Sequence, residues 1–371
     1  MISRSIVPDT IARQPWGMLV PLMGLVTLGA AVLYSAAGGS LQPYALSHVL
    51  RFFVFLGMAI VISRFNRDMF RMAAYPIYGA IVILLVLVEA IGAVGGGSQR
   101  WLNLGFMTLQ PSELMKPAIV LVLARFYETL PHAMTASWGG LVPAGLLILL
   151  PVAFVAIQPD LGTALAICFG GGVTMFLAGL PMWWFVSAGV TALIGAPIAF
   201  FTVLHDYQRN RVLTFLDPES DPLGTGYHIT QSKIAIGSGG IFGKGFGNGS
   251  QSHLQYLPEP HTDFVFATMS EEWGMVGGYF VLFVFALVLS WGLRVARNAP
   301  DRFSSLLAAG MAATIFFYVA INLMMVMGLA PVVGIPLPFM SHGGTSMMTN
   351  MICIGTLMAI NRWNTRPNSL S

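Results

Sequence analysis

Asp263 stands where the most polar stretch of this sequence, residues 205–262, gives way to an apolar run. The stretch also carries the basic residues Arg209, Lys233 and Lys244. A carboxylate beside such a segment can accept a proton from a substrate hydroxyl and so act as a general base. Asp is equally a common N-cap residue, because free N–H groups and the helix dipole favour it there. Position alone therefore predicts either a catalytic base or a helix cap.

Charged side chains also interrupt the apolar runs, where they are costly unless paired or functional. Glu113 and Lys116 are three residues apart, so in a helix they share a face. We expect them to form an internal ion pair, a wall of a polar cavity, or both. Asp160 lies in the motif IQPDLG at a predicted turn, and Arg100 lies in the short polar segment 95–111. These four side chains are further candidates for a functional site.

Two acids, Glu271 and Glu272, follow Asp263 by about two helical turns. At about 100° per residue they lie well around the helix from Asp263, so no close carboxylate pair with it is expected. Acids inside a membrane are usually functional or paired. We expect a structural pairing of these two glutamates inside the helix bundle.

The segment IGSGGIFGKGFGNGS, residues 236–250, is rich in glycine. It lacks the GxxxxGK(S/T) pattern of nucleotide-binding phosphate loops. It is expected to be a flexible surface loop or, with Lys233 and Lys244, a cradle for a pyrophosphate. The histidines lack metal-binding spacing such as HExxH, and Cys168 and Cys353 lie far apart in apolar runs. The sequence predicts no metal site and no certain cofactor, and it leaves dependence on a divalent cation open.

The elements that must position these candidates are strongly apolar. Of 371 residues, 56% are hydrophobic and 9% are charged, whereas soluble domains carry roughly 25% charged residues. About 20 helical residues cross a bilayer, and at this length only helices satisfy their own backbone groups in lipid. The predicted fold class is an all-α polytopic membrane protein with about ten transmembrane helices. The spans are predicted at Trp16–Ala36, Val49–Ser63, Ala74–Val94, Ser112–Phe126, Leu141–Ile157, Thr163–Leu180, Trp183–Leu204, Asp263–Leu293, Phe303–Gly328 and Thr345–Ile360.

A single membrane domain is expected to account for the whole chain, residues 1–371. Its orientation follows from Lys and Arg, which concentrate in cytoplasmic loops. With a cytoplasmic N-terminus, the inside receives Arg4, Arg13, Arg64, Arg67, Arg71, Arg125, Arg294, Arg297, Arg302, Arg362 and Arg366. Both termini are then cytoplasmic, and residues 205–262 form one large extracytoplasmic loop between spans seven and eight, where ATP is not available. The small net charge of +3 does not indicate nucleic-acid binding.

Residues 329–344 are apolar and lack Lys, Arg, Asp and Glu, but Pro331, Pro336 and Pro338 prevent a regular helix. Irregular backbone at membrane depth is tolerated only where it is buried in protein or lines a cavity. We predict a re-entrant or cavity-lining loop here, with an ordinary proline-rich turn as the alternative.

Long ordered motifs extend over nearly the whole chain: QRWLNLGFMTLQPSELMK at 99–116, AIQPDLGTA at 156–164, HDYQRNRVLTFLDPESDPLGTGYHITQSKIAIGSGG at 205–240, GKGFGNGSQSHLQYLPEPHTDFVFA at 243–267, EEWGMVG at 271–277 and PVVGIPLPFMSHGG at 331–344. In these motifs the chain resembles the SEDS family (shape, elongation, division and sporulation). The stretches HDYQRNR, LDPESDPLGTGYH and SKIAIGSGG are similar to its elongation branch. The chain departs from the family at Pro260, where Arg or Lys is frequent, and at His342, where Tyr is common.

The resemblance implies a peptidoglycan glycosyltransferase that polymerises lipid II, a disaccharide-pentapeptide on undecaprenyl pyrophosphate, during cell elongation. The family's catalytic acid matches Asp263, its cavity pair matches Glu113 and Lys116, and its QPD acid matches Asp160. It also implies a bacterial cytoplasmic (inner) membrane location. The implied partners are a class B penicillin-binding protein, which is a transpeptidase, and other elongation-complex proteins.

The expected reaction begins when Asp263 deprotonates the 4-hydroxyl of the acceptor sugar. Undecaprenyl pyrophosphate then leaves, and the cations Arg100, Arg209, Lys233 and Lys244 are candidates to stabilise its developing charge. Two other classes stay open, a lipid II flippase and a scaffold that only positions cell-wall enzymes. The concentration of charge on one face of the predicted bundle counts against the flippase.

Overall fold

The computed structural model describes residues 14–95, 98–103, 108–202, 209, 213–214, 217, 225–254, 256–257 and 259–365. Within these residues the chain is mostly helical. The helices are α1 (Trp16–Ala36), α2 (Ala45–Ile62), α3 (Arg67–Ile91), α4 (Pro111–Thr129), α5 (Trp138–Ile157), α6 (Leu161–Leu177), α7 (Met182–Thr202), α8 (Thr225–Ser238), α9 (Ser250–His253), α10 (Val265–Arg297), α11 (Arg302–Val326) and α12 (Gly344–Thr365).

The ten predicted spans are all present as helices, namely α1 to α7 and α10 to α12. Among the described residues, six are long and apolar enough to cross a membrane, and α6 and α7 contain shorter apolar stretches. The prediction of an all-α polytopic membrane protein is therefore confirmed. The bounds differ by a few residues; α2, for example, begins at Ala45 rather than Val49. Helices α8 and α9 lie within the predicted loop 205–262.

The centre of the bundle is α4, which packs against α3, α5, α6, α11 and α12. Its residues from Met115 to Ala124 are buried. Because protein rather than lipid surrounds this helix, Glu113 and Lys116 can be accommodated by polar partners. This position also explains why α4 is less apolar than the peripheral helices.

Helix α10 is interrupted at Gly274, whose φ of 64° is outside the helical region. The glycine-rich segment packs into this break: a Cβ on Gly243 would lie 2.1 Å from the main-chain oxygen of Glu272. The N–H groups of Lys244 and Gly245 donate to the oxygens of Glu271 and Glu272, both at 3.0 Å. The segment is thus docked on α10, and its glycines permit close main-chain approach.

Two irregular parts of the chain face the same region. Strands β1 (Ala93–Gly95), β2 (Ser98–Asn103) and β3 (Thr108–Leu109) form a small antiparallel sheet in the order β1-β2-β3. The segment 329–343, between α11 and α12, has no regular helix, and Leu337, Phe339 and Met340 within it are buried. It lines a cavity, as the sequence predicts.

Candidate active site

One cavity of about 470 Å³ brings together four of the residues predicted from sequence. Asp263 comes from the segment before α10, Glu113 from α4, Asp160 from the turn before α6, and Arg100 from β2. Pockets of roughly 300–1,000 Å³ are typical of small-molecule sites. The cavity therefore has the size and the polar groups that a sugar-binding site needs.

Asp263 does not occupy the N-cap position of α10. Helix α10 begins at Val265, and Phe264 occupies its N-cap position without a side-chain hydrogen bond. The carboxylate of Asp263 instead faces the proline-rich segment, where a Cβ on Gly334 would lie 3.5 Å from its Oδ2. Gly334 has a φ of 68°, a conformation that suits glycine. The carboxylate consequently sits beside backbone, at the wall of the cavity.

Asn322 on α11 sets the main chain at this point, and sequence reasoning missed it. Its Nδ2 donates to the main-chain oxygen of Asp263 at 2.8 Å and to that of Ile335 at 2.7 Å. The side chain is fully buried. A lone asparagine inside an apolar span is the signal that could have identified it, because buried amides need polar partners.

The expected pair of Glu113 and Lys116 is present. Lys116 Nζ donates to Glu113 Oε1 at 2.6 Å and to the hydroxyl of Tyr318 at 2.9 Å, and that hydroxyl donates to Glu113 Oε2. The ammonium also lies 4.3 Å from the centre of the Tyr318 ring. Lys116 is completely buried, whereas Glu113 reaches the cavity. Both expectations for the pair, an internal ion pair and a cavity wall, are met.

Asp160 is fixed from several sides. It caps α6 by accepting from the N–H of Thr163 at 3.1 Å, and its Oδ2 accepts from Gln110 Nε2 at 3.0 Å. Arg100 Nη1 lies 3.8 Å from the same Oδ2, while its Nε donates to the main-chain oxygen of Gln158 at 2.9 Å. The guanidinium therefore already has both a carboxylate and a carbonyl as partners.

A group of residues not chosen from the sequence forms another wall. The ring of His342 lines the cavity, and its Nε2 lies 3.0 Å from Arg51 Nη1 and 3.0 Å from Ser47 Oγ on α2. The main-chain N–H of His342 donates to the main-chain oxygen of His261 at 2.9 Å. Burial, the Arg51 guanidinium and His261 lower the pKa of His342 to about 4. An arginine inside a predicted span was the available signal, since such residues are rarely placed there without function.

The remaining predicted cations lie elsewhere. Lys244 donates to Glu271 Oε1 at 2.6 Å, Lys233 packs against Gly328, and Arg209 Nη2 donates to the main-chain oxygen of Phe201 at 3.0 Å. None of the three is among the described residues that line the cavity. Their assignment to the substrate stays a prediction from sequence.

Both glutamates of α10 have polar partners inside the bundle, as expected, and Glu271 forms an ion pair with Lys244. Glu271 accepts from Lys244, from Ser250 Oγ at 3.0 Å and from the N–H of Gln251 at 3.1 Å, and it is fully buried. Glu272 accepts from the hydroxyl of Ser35 on α1. These carboxylates hold the glycine-rich segment and α1 against α10.

Metal ligands are not assigned. Among the residues that the structure describes, no group of three or more His, Cys, Asp or Glu side chains is arranged to hold a metal ion.

Known proteins are similar to this chain over almost its whole length. The family model FTSW_RODA_SPOVE, described as a cell cycle protein, matches residues 15–366. The chain is 42% identical over 347 residues to the peptidoglycan glycosyltransferase MrdB of Escherichia coli, with 92% of each chain covered.

Two solved structures are also similar. One belongs to a study of how a peptidoglycan synthase complex coordinates polymerization and crosslinking; its chain gives a TM-score of 0.80 at 33% identity, covering 96% of this chain and 99% of that chain. The other is the rod shape determining protein RodA of Thermus thermophilus, with a TM-score of 0.70, 30% identity and the same coverage. The chain therefore belongs to the FTSW_RODA_SPOVE family, the SEDS proteins that its motifs resemble.

Proposed function

We propose that this protein is a peptidoglycan glycosyltransferase that polymerises lipid II into β-1,4-linked glycan strands during cell elongation. The observation that carries the proposal is that Asp263 lines the same cavity as Glu113, Asp160 and Arg100. The family membership and the relative named peptidoglycan glycosyltransferase support the same activity.

The proposed chemistry is a direct displacement with Asp263 as general base. The carboxylate of Asp263 accepts the proton of the acceptor's GlcNAc 4-hydroxyl as its oxygen attacks the anomeric carbon of the donor. The bond from that carbon to the pyrophosphate oxygen breaks, and undecaprenyl pyrophosphate leaves with the electron pair. A positioned general base contributes on the order of 10²–10⁴-fold in rate. The activated leaving group removes any need for ATP.

The other cavity residues are proposed to hold the sugars. The carboxylates of Glu113 and Asp160 can accept hydrogen bonds from sugar hydroxyls, and the buried Lys116 orients the Glu113 carboxylate through its hydrogen bond to Oε1. Arg100 and Gln110 fix Asp160. Binding groups locked by their own partners keep the reacting atoms aligned, which is a large part of catalysis between two bound substrates.

The setting of the reaction is proposed to be the bacterial cytoplasmic membrane. The predicted orientation places both termini in the cytoplasm and the cavity on the outer face, and the lipid tails of the substrate enter sideways from the bilayer. A class B penicillin-binding protein is the proposed partner. The similarity to a chain from a complex that coordinates polymerization and crosslinking supports it.

Separate assays of strand synthesis and of lipid transport distinguish this function from the alternative, a lipid II flippase. The purified protein, reconstituted in vesicles with lipid II and a partner transpeptidase, is expected to yield glycan strands that muramidase digests. Labelled lipid II is followed across the same vesicles in a separate assay. Transport without strand synthesis would replace the polymerase by a flippase.

A further inference from the structure

The proposed reaction releases a pyrophosphate, and the cavity around Asp263 is poor in free positive charge. Its lining carries the carboxylates of Glu113, Asp160, Glu259 and Asp263. Arg100, which also lines it, already contacts Asp160 and main-chain oxygens. An anionic group in such a surrounding needs donors that are not already used, because unpaired buried charge is strongly unfavourable.

The beginning of α12 supplies such donors. Gly343, Gly344, Thr345 and Ser346 line the cavity where this 22-residue helix starts. The first N–H groups of a helix have no acceptor within it, and together with the helix dipole they favour an anion. Within the described part of the chain, the N–H groups of residues 344–346 have no acceptor, and the helical bonding resumes with Met347, which donates to Gly343.

Arg51 adds a cation next to Gly344, although Arg51 is not itself among the described residues that line the cavity. Its Nη1 lies 3.0 Å from His342 Nε2, and a Cβ on Gly344 would lie 3.8 Å from its Cζ. Arginine can only donate, so His342 Nε2 accepts and the ring is held neutral with its proton on Nδ1. Among the described residues Arg51 has no carboxylate partner, unlike Lys116, Lys244 and Arg100.

We propose that Arg51 and the first-turn N–H groups of α12 bind the diphosphate of the lipid-linked donor, with His342 as the residue that orients the Arg51 guanidinium. This inference rests on the proposed function. It assigns the donor to the α2–α12 side of the cavity. The acceptor sugar then occupies the side formed by Arg100, Gln110 and Asp160.

The start of α12 adjoins the proline-rich segment beside Asp263, and this supports the assignment. Gly343 lies against Pro336, with its Cβ position 3.6 Å from the Pro336 Cγ, and both line the cavity together with Gly334 beside the Asp263 carboxylate. A diphosphate at α12 therefore places the anomeric carbon attached to it toward Asp263. Asp263 and the groups that bind the leaving diphosphate therefore lie on different walls of the cavity, as an in-line displacement requires.

Equilibrium binding without turnover tests the site. The full-length protein in detergent is titrated with farnesyl diphosphate and with farnesyl monophosphate. We expect the wild type to bind the diphosphate more tightly. Arg51→Gln should weaken diphosphate binding about ten-fold or more, since it removes a charge-assisted contact, and Arg51→Lys should weaken it less. Arg64→Gln, an exposed residue just beyond the other end of α2, is the matched control and should bind as the wild type does.

A second pair of variants keeps the test valid if Arg51→Gln does not fold. Gly344→Pro and Gly344→Ala both add a Cβ, but only proline removes the N–H, and proline is well tolerated at the first helical position. Gly344→Pro should bind the diphosphate several-fold more weakly than Gly344→Ala. Diphosphate binding that is unchanged in folded Arg51→Gln, or equal in the two Gly344 variants, would overturn the assignment. Failure of the proposed function would appear separately, as absence of strand synthesis by the wild type.

Discussion

The amide of Asn322 holds the main chain of Asp263, with 2.8 Å between its Nδ2 and the Asp263 carbonyl oxygen. The same nitrogen donates to Ile335 in the proline-rich segment at 2.7 Å. One buried side chain on α11 thus joins the two pieces of irregular backbone that place the carboxylate. The position of the proposed base is therefore set by a spanning helix rather than by a loop alone.

Asn322→Leu should misplace Asp263 without removing it. Two main-chain oxygens lose their donor, and a displacement of about 1 Å can lower a rate about 10²-fold. We expect kcat for strand synthesis to fall about ten- to hundred-fold while KM changes little. Asn298→Leu, on the exposed cap of α10, is the control. A normal kcat in folded Asn322→Leu would show that this hydrogen bond has no positioning role.

Lys116→Met should be more damaging to stability than the double change Glu113→Gln with Lys116→Met. Removing one partner leaves a buried charge uncompensated, which costs about 3–5 kcal/mol, whereas replacing both relieves it. The free energy of unfolding in detergent is the measurement. If the single variant is as stable as the double variant, Lys116 does not compensate the buried charge of the Glu113 carboxylate.

Acidification should destabilise the outer side of the protein through His342. Its pKa is about 4 in the folded protein and about 6.5 in an unfolded chain, so the unfolded state binds more protons between these values. Stability contributed by neutral His342 is therefore present above about pH 6.5 and declines as the pH falls toward 4. The burial of His261 also lowers its pKa, while the nearby Glu259 carboxylate opposes that change, so His261 adds to the same trend.

The measurement is the unfolding temperature of wild type and His342→Tyr at pH 7 and pH 5. The wild type should lose more on acidification than the variant, because the tyrosine phenol has an ordinary pKa of about 10 and does not titrate in this range. Equal losses would assign the pH dependence to other groups, such as Glu259 or the remaining cavity carboxylates.

Gly243→Ala should undock the glycine-rich segment, and Gly247→Ala provides the matched control. Both glycines have positive φ, 80° and 77°, so alanine costs roughly 1–2 kcal/mol at either site. Only at Gly243 does the new Cβ also meet the Glu272 oxygen, at 2.1 Å, whereas Gly247 has open space. Limited proteolysis between α8 and α10 should therefore be faster in Gly243→Ala alone. Equal protection in the two variants would contradict the docking.

Local sequence patterns predicted the spans because each must carry a long apolar run, and they predicted the pair of Glu113 and Lys116 because three residues along a helix set a shared face. Motif resemblance pointed to Asp263 and Asp160. The contacts of Asn322 with Asp263 and of Tyr318 with Lys116 join distant parts of the chain. No local period encodes such contacts, so they required the folded structure.

The glycine-rich segment shows a different limit. Glycine is used for flexibility, for anion cradles and for close packing alike, so composition could not distinguish these roles. The break of α10 at Gly274 decides among them, because it supplies the main-chain partners on which Gly243 and Gly245 pack. Arg51 shows a related limit. Its position in an apolar run was visible in the sequence, but its contact with His342 was not.

The most direct test of the general base is strand synthesis by Asp263→Asn, which keeps the size of the side chain and removes its basicity. With purified lipid II and the partner transpeptidase, the rate should fall by about 10²-fold or more, while the unfolding temperature and farnesyl diphosphate binding match the wild type. Glu259→Gln, a mostly exposed carboxylate on the same cavity, should retain most activity. Polymerisation by Asp263→Asn at the wild-type rate would contradict the mechanism.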